Sequence, residues 1–211
     1  MLGEPLLRAA SGRWRGKISV PVLLTPHGAV FDSSRIARHA ERLGQGTPLF
    51  PASAEREIER WNDLSASMLV ATRPIVIRNV LADREAQTEA LPLLVPSALR
   101  RPLGALAVTG AKFIARKYNA RSAALHDAHI ALQHGLDQLR AGLAGGKRYL
   151  LNDFSYADIT MAVTLQGIRP PEGFLDLGAA TRAAWTDPGL AAAYPDLLAW
   201  RDEIYARHRS H

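Results

Sequence analysis

A cluster of helix-breaking residues divides this 211-residue sequence into two parts of different character. Two glycines and two prolines fall within the eight residues from Gly44 to Pro51, and both residue types interrupt regular structure. Two short apolar runs precede this break, whereas most segments after it repeat apolar residues about every 3.6 positions, as helices do. The pattern predicts an α+β, mostly helical chain with a small first domain over residues 1–45, a linker over 46–53 and an all-helical domain over 54–211.

Composition excludes several classes of protein. There is no cysteine, so disulfides, thiolate metal sites and a cysteine nucleophile are absent from this sequence. The formal net charge is +6, but the basic residues are scattered and not interleaved with aromatic residues, so no nucleic-acid partner is predicted. No apolar run approaches the roughly 18 residues of a membrane span, and Glu4 stands where a signal peptide carries bases. These features predict a cytoplasmic protein without a membrane partner.

The stretch from Ser19 to Ser34 is the most informative part of the first domain. It predicts a strand, a tight turn at Pro26-His27-Gly28, a second strand and a helix that starts at Asp32-Ser33. Pro21 lacks the N–H that pairs strands, which places it at an edge, at a bulge or where backbone is kept for a ligand. A hydroxyl at a helix N-terminus, such as that of Ser33, favours a bound carboxylate. An ordinary hairpin and a capped helix explain the same residues, because Asp and Ser are common caps.

The second part is predicted as a series of helices. They cover about residues 54–81, with a kink at Pro74, then 103–118, 123–143, 175–185 and 188–207. His126 and His129 share a face of one of them, but no third ligand has a matching spacing, so no metal site is predicted.

Ser155 and Asp158 have the spacing of a capping box, with Asp158 in place of the usual Glu or Gln. The helix that follows is apolar nearly all round and is therefore expected to be buried. A structural role is predicted for both residues, because an unsatisfied buried helix end is costly.

The order of these features resembles the soluble glutathione transferase family, and in particular its bacterial members. The resemblance rests on Val20-Pro21-Val22-Leu23, on Asp32-Ser33, on the Ser155-x-x-Asp158 box and on Tyr194-Pro195 followed by Trp200. It implies a thioredoxin-like first domain, N-terminally incomplete here, in which a cis peptide bond precedes Pro21. It further implies that the Val20 backbone pairs with the cysteinyl part of glutathione, and that Asp32 and Ser33 hold the γ-glutamyl end.

The same resemblance implies an activity and partners. A homodimer without a metal would conjugate glutathione, as co-substrate, to an electrophilic apolar substrate. This second substrate would contact Met68, Thr72 and Arg73. Met68 has an alternative interpretation as plain core. The family's first strand, first helix and second strand have no counterpart before Ser19, and that region carries the usual thiol-activating residue, so no catalytic residue is assigned. Two interpretations stay open: a transferase whose natural chain starts upstream of Met1, or a non-catalytic binding or protein-interaction module.

Overall fold

The computed structural model describes residues 20–89 and 122–209, together with Arg8. Near the start of the first range lies an antiparallel pair of strands, β1 (Val22–Thr25) and β2 (Gly28–Phe31). The turn between them is fixed by the Thr25 hydroxyl, which donates to the Gly28 carbonyl over 2.8 Å. Gly28 has a φ of 122°, a value that side-chain-bearing residues rarely adopt, which explains glycine at this position. The predicted hairpin is therefore present.

The other regular elements of the described chain are helices, so the fold is α+β and mostly α, as the sequence predicted. Two short 3-10 turns, Ala52–Ala54 and Leu165–Gly167, precede and follow longer helices. The α-helices of the described residues are α1 (Ser33–Leu43), α2 (Glu55–Ala82), α3 (Arg84–Glu89), α4 (Ser122–Gly142), α5 (Tyr156–Thr164), α6 (Ala179–Trp185), α7 (Pro188–Ala193) and α8 (Pro195–His208).

Helix bounds follow the local signals in most places, and α2 contains Pro74 as expected. The helix expected from about residue 175 begins at Ala179, and the segment expected to be helical over 188–207 is divided into α7 and α8. The division falls before Pro195, which has no N–H to continue α7 but suits the first turn of α8. The helix expected over 103–118 lies outside the described residues.

The core lies where α2 packs against α4 and α5. Glycines on α4 let these helices approach closely. A Cβ at Gly135 would stand 2.5 Å from the Met68 sulfur, and one at Gly142 would stand 2.7 Å from the Trp61 ring. Because core side chains are close-packed, the two glycines set how near α2 can lie to α4.

One helical stretch in the described part of the chain, Ala52–Ala82, is long and apolar enough to cross a membrane by length and composition. This corrects the expectation that no run reaches such a length. Of its apolar 18-residue window, 33% is buried inside the protein, and α2 packs along α4 and α5. A core helix passes the same test, so the stretch alone is weak evidence for a membrane span.

A buried arginine joins the last helix to the end of α5. Arg201 on α8 is 1% exposed, and its guanidinium donates to the carbonyls of Leu165 and Arg169 and to the Asp202 carboxylate. Burial of a guanidinium is costly unless its N–H groups find acceptors, and here they do. Arg201 therefore ties α8 to the turn that follows α5.

A surface ion pair between α4 and α8 predicts that stability depends on pH. Arg140 of α4 donates to both carboxylate oxygens of Asp196, and this bond is the main cause that lowers the pKa of Asp196. A carboxylate whose pKa is lower in the folded state stabilises the fold at pH values above its unfolded-state pKa, which is about 4 for Asp. This stabilisation is lost as the pH falls through the folded-state pKa. Because the pair is about half exposed, Asp196→Asn is expected to cost only about 0.5 kcal/mol at neutral pH.

Urea unfolding at pH 7 and at about pH 2 checks this expectation, because the cost should shrink as protonation of the Asp196 carboxylate removes the ion pair. Asp63→Asn, at an exposed position of α2, is the control. An equal cost of Asp196→Asn at both pH values would contradict the assigned ion pair.

Candidate functional site

The helix start predicted at Asp32-Ser33 is present and has an unusual backbone. Asp32 caps α1: one carboxylate oxygen accepts from the N–H groups of Ser34 and Arg35, at 2.9 and 3.4 Å, and from the Ser34 hydroxyl at 2.8 Å. The φ of Asp32 is 78° and its ψ is 133°, outside the regions that residues with a Cβ normally adopt. Such a conformation costs about 1–3 kcal/mol and is found mostly where a ligand or a switch requires it.

The hairpin brings the two halves of the predicted glutathione site together. The strand pairing ends at Val22 and Phe31, so Val20-Pro21 and Asp32-Ser33 directly flank the two residues of the last facing pair. The Val20–Pro21 peptide bond is cis, as the resemblance implies. All four residues are exposed, with the Val20 side chain 71% accessible. They form one open surface at this end of the hairpin, called the half-site below.

Tyr156 connects the half-site to the helical part of the chain. Its side chain lies near that of Ser33: burial raises the pKa of Tyr156, while the interaction with the Ser33 side chain lowers it. The ring stacks on Phe50 at 4.8 Å, and the Tyr156 N–H donates to the Leu49 carbonyl over 2.9 Å. The sequence did not predict this role, although Tyr156 directly follows the capping residue Ser155 at the start of a buried helix.

The loop between α1 and α2 is held against α1. The Glu41 carboxylate accepts from the N–H groups of Leu49 and Phe50, at 2.5 and 2.9 Å. The Arg38 guanidinium lies 4.1 Å from the centre of the Phe50 ring and pairs with Glu55 at 2.8 Å. These contacts fix Phe50 against Tyr156 and thereby fix Tyr156 beside Ser33.

The expected second-substrate pocket of Met68, Thr72 and Arg73 requires a correction. Met68 and Thr72 are 1% and 6% exposed and face Gly135 and Gly167, where an added Cβ would clash with them. The Thr72 hydroxyl donates to the Met68 carbonyl within α2. Arg73 is exposed, and it stands about 140° around the helix axis from Met68. The structure therefore does not bring the three side chains together: the first two pack in the core.

The capping box at Ser155 and Asp158 is present. The Asp158 carboxylate, fully buried, accepts from the N–H of Leu150 at 2.8 Å, from the N–H of Ser155 at 2.9 Å and from the Ser155 hydroxyl at 3.1 Å. Burial raises the pKa of Asp158, while these donors act against the rise. The carboxylate thus joins the loop before α5 to the first turn of that helix.

No group of three or more potential metal ligands occurs within the described ranges 20–89 and 122–209. His129, one of the histidines considered above, has other partners: Nδ1 lies 2.8 Å from the Leu125 carbonyl and Nε2 lies 2.9 Å from the Asp187 carboxylate. Asp187 in turn caps α7 by accepting from the Leu190 N–H. His129 thus connects α4 to the start of α7.

Comparison with known proteins identifies the class of the helical region. Residues 120–203 match the family model described as the glutathione S-transferase C-terminal domain. The matched residues include α4, α5 and most of α8, so this helical region is similar to the all-α C-terminal domain of glutathione transferases. The matched region begins after the half-site, so the thioredoxin-like nature of the first domain stays a prediction.

The curated relatives include elongation factor 1-gamma proteins of a plant. Elongation factors 1-gamma 2, 1-gamma 3 and 1-gamma 1 of Oryza sativa subsp. japonica are 38%, 39% and 37% identical to this chain over 91, 92 and 91 residues. Each match covers 41% of this chain and 21% of the relative, so the chain spans about a fifth of the length of these relatives. These relatives are not bacterial, and a bacterial origin stays a prediction. No solved structure matches the chain.

Proposed function

We propose that the chain binds glutathione at Val20, Pro21, Asp32 and Ser33 and conjugates it to an electrophilic apolar substrate. The observation that carries this proposal is the conformation of Asp32, a non-glycine residue at a φ of 78° on an exposed helix N-terminus. Capping alone does not require it, because common cap residues have extended backbone. A bound γ-glutamyl group gives a reason for it, since this conformation presents the first turn of α1 to the open surface.

In this proposal each part of glutathione has a place. The γ-glutamyl carboxylate accepts from the Ser33 hydroxyl and from the N–H groups at the start of α1, where the helix dipole favours an anion. The Val20 backbone pairs with the cysteinyl unit. The thiol gives its proton to water, and the thiolate attacks the electrophilic carbon, so that a carbon–sulfur bond forms while the bond from that carbon to its leaving group breaks and the leaving group departs with the electron pair. The thiol-activating group is not assigned, because the Tyr156 side chain lies near Ser33, at the proposed γ-glutamyl end of the site.

A second candidate function is that of a non-catalytic glutathione-transferase-like module that acts through protein contacts. Two observations favour it. The relatives named above are elongation factor 1-gamma proteins, and Tyr156 serves to join the half-site to α5. For either function we propose a cytoplasmic homodimer that needs no metal and binds neither nucleic acid nor a membrane, and sedimentation of the purified chain tests the dimer.

Calorimetric titration with glutathione tests the proposed site. Ser33→Ala is expected to weaken binding about tenfold, near 1.4 kcal/mol, because one charge-assisted hydrogen bond to the carboxylate is lost. Ser67→Ala is the matched control, since its exposed hydroxyl donates within α2 at a distance from α1. No detectable heat at millimolar glutathione would refute the proposed site.

A conjugation assay then separates the two functions. With 1-chloro-2,4-dinitrobenzene as the electrophile, a transferase accelerates loss of chloride and formation of the thioether. Binding that is sensitive to Ser33→Ala, without such acceleration, would favour the non-catalytic module.

A further inference from the structure

Three arginines of α1 line one groove, of about 350 Å³, between that helix and β2. Arg35, Arg38 and Arg42 are three and four positions apart, so they share one face of α1. The first and the last of them are separated by about 10.5 Å along the helix axis. The described residues that form the opposite wall are Ala29, Val30 and Phe31. None of the described lining residues belongs to the half-site.

The positive charge of this groove is only partly compensated. Arg38 pairs with the Glu55 carboxylate at 2.8 Å. Arg35 and Arg42 are exposed, and among residues 20–89 and 122–209 no carboxylate forms a salt bridge with either of them or lines the groove. Arg42 lies instead 3.4 Å from Nδ1 of His39. Because like charges at this spacing on a helix repel each other, an anion in the groove would stabilise the row.

The shape of the groove and the chemistry of arginine suit phosphoryl groups. A guanidinium carries five N–H donors in a planar fork that matches the oxygens of a phosphate or a carboxylate in pairs. A terminal phosphoryl group offers three strong acceptor oxygens, whereas a carboxylate offers only two. The volume of about 350 Å³ lies near the lower end of the range of about 300–1,000 Å³ for small-molecule sites, so the groove accommodates a compact ligand.

From this geometry we propose that the groove between α1 and β2 binds a short chain of phosphoryl groups. Arg35 and Arg42 donate to the two ends of the chain. Arg38 donates to its middle with the N–H groups that Glu55 leaves available, because a guanidinium has five. Inorganic triphosphate and the triphosphate of a nucleotide share this chemistry, and both serve as probes below.

Calorimetry of the full chain with inorganic triphosphate is expected to show saturable binding. The titration is made without glutathione and in about 0.15 M salt, which screens long-range attraction between charges. Arg35→Gln and Arg42→Gln should each weaken the binding about tenfold, because each removes charge-assisted hydrogen bonds. Both residues are exposed, so circular dichroism should show both variants folded as the unaltered chain is.

Glu55→Gln should have the opposite effect on triphosphate affinity. It removes the negative charge nearest to the arginine row and releases the N–H groups of Arg38 that pair with it. Because that ion pair is partly exposed, the expected gain in affinity is only about twofold. A variant that merely disturbed the fold would weaken binding instead.

Two variants control for general effects. Arg207→Gln removes the same charge from an exposed position of α8 that does not line the groove, and it should leave triphosphate affinity unchanged. Ser33→Ala should also leave it unchanged, which separates this groove from the half-site.

Two further ligands define what the groove recognises. Citrate carries three carboxylates and should bind at least about tenfold more weakly than triphosphate, because its groups offer fewer acceptor oxygens. Adenosine triphosphate distinguishes the two sources of the phosphoryl chain. An affinity tighter than that of inorganic triphosphate identifies a nucleotide site, and an equal or weaker one identifies a site for the phosphoryl chain alone.

Four results would overturn the proposal. They are an absence of saturable triphosphate binding at millimolar concentration, equal affinities for citrate and triphosphate, and an equal loss of affinity on Arg42→Gln and Arg207→Gln. The fourth is a change in the sedimentation coefficient of the ligand-free chain on Arg42→Gln, which would show that a second copy covers the groove. Because glutathione is absent from every measurement, these outcomes are independent of the proposed function.

Discussion

Replacement of Asp158 by alanine is expected to lower the free energy of unfolding by about 3 kcal/mol. The carboxylate is fully buried and accepts from the N–H groups of Leu150 and Ser155. Its removal leaves two buried donors without an acceptor, and each unsatisfied group costs about 1–3 kcal/mol. Urea unfolding followed by circular dichroism measures the loss as a lower midpoint at an unchanged slope.

Two variants bracket this effect. Asp153→Ala removes a carboxylate from an exposed position in the same loop and is expected to leave stability unchanged. Asp158→Asn keeps one acceptor oxygen, but its amide nitrogen faces an N–H donor, so its cost should lie between those of the two alanine variants. If Asp158→Ala kept full stability and lost glutathione binding, Asp158 would belong to a ligand site and the structural role would be wrong.

Met68→Ala is the second substitution with a large expected effect, again about 3 kcal/mol. The Met68 side chain is 1% exposed and fills the space beside Gly135 on the facing side of α4. Truncation leaves a cavity that neighbouring residues cannot fill, because there is no Cβ on Gly135 to move into it. The melting temperature should fall by about 6–12 °C for a chain of this size.

This experiment also decides between the two interpretations of Met68. Val70→Ala, on the exposed side of the same helix, is the control and should change the melting temperature by less than about 2 °C. A core role predicts lower stability with unchanged glutathione affinity. A role in the second-substrate pocket predicts the reverse: full stability with an altered KM for the electrophile.

Features with a short-range physical cause could be predicted from the sequence. The hairpin follows from Gly28 between two apolar runs, the start of α1 follows from the capping preference of Asp32, and the capping box follows from the spacing of Ser155 and Asp158. In each case a few neighbouring residues determine the backbone, so no knowledge of the tertiary structure is needed.

Features that depend on distant residues could not be predicted. The contact of Tyr156 with Ser33 joins two parts of the chain that are far apart in sequence, and nothing near either residue specifies the other. The apolar period of α2 showed that Met68 lies on an inner face, but not that Gly135 leaves room for it there. Nothing in the sequence indicated the positive φ of Asp32, because an aspartate at a helix N-cap normally has extended backbone.

The bond network of Arg201 has a consequence for how the protein is made. Helix α5 packs on α2, which is synthesised before it, and on α8, which is synthesised after it. Arg201 reaches the Leu165 and Arg169 carbonyls from 36 and 32 residues further along the chain. During translation one side of α5 therefore stays uncovered until α8 leaves the ribosome, and apolar surface exposed in this way is what chaperones bind. This domain can therefore be completed only after α8 is synthesised, and a ribosome that stalls before Arg201 would leave that side of α5 exposed.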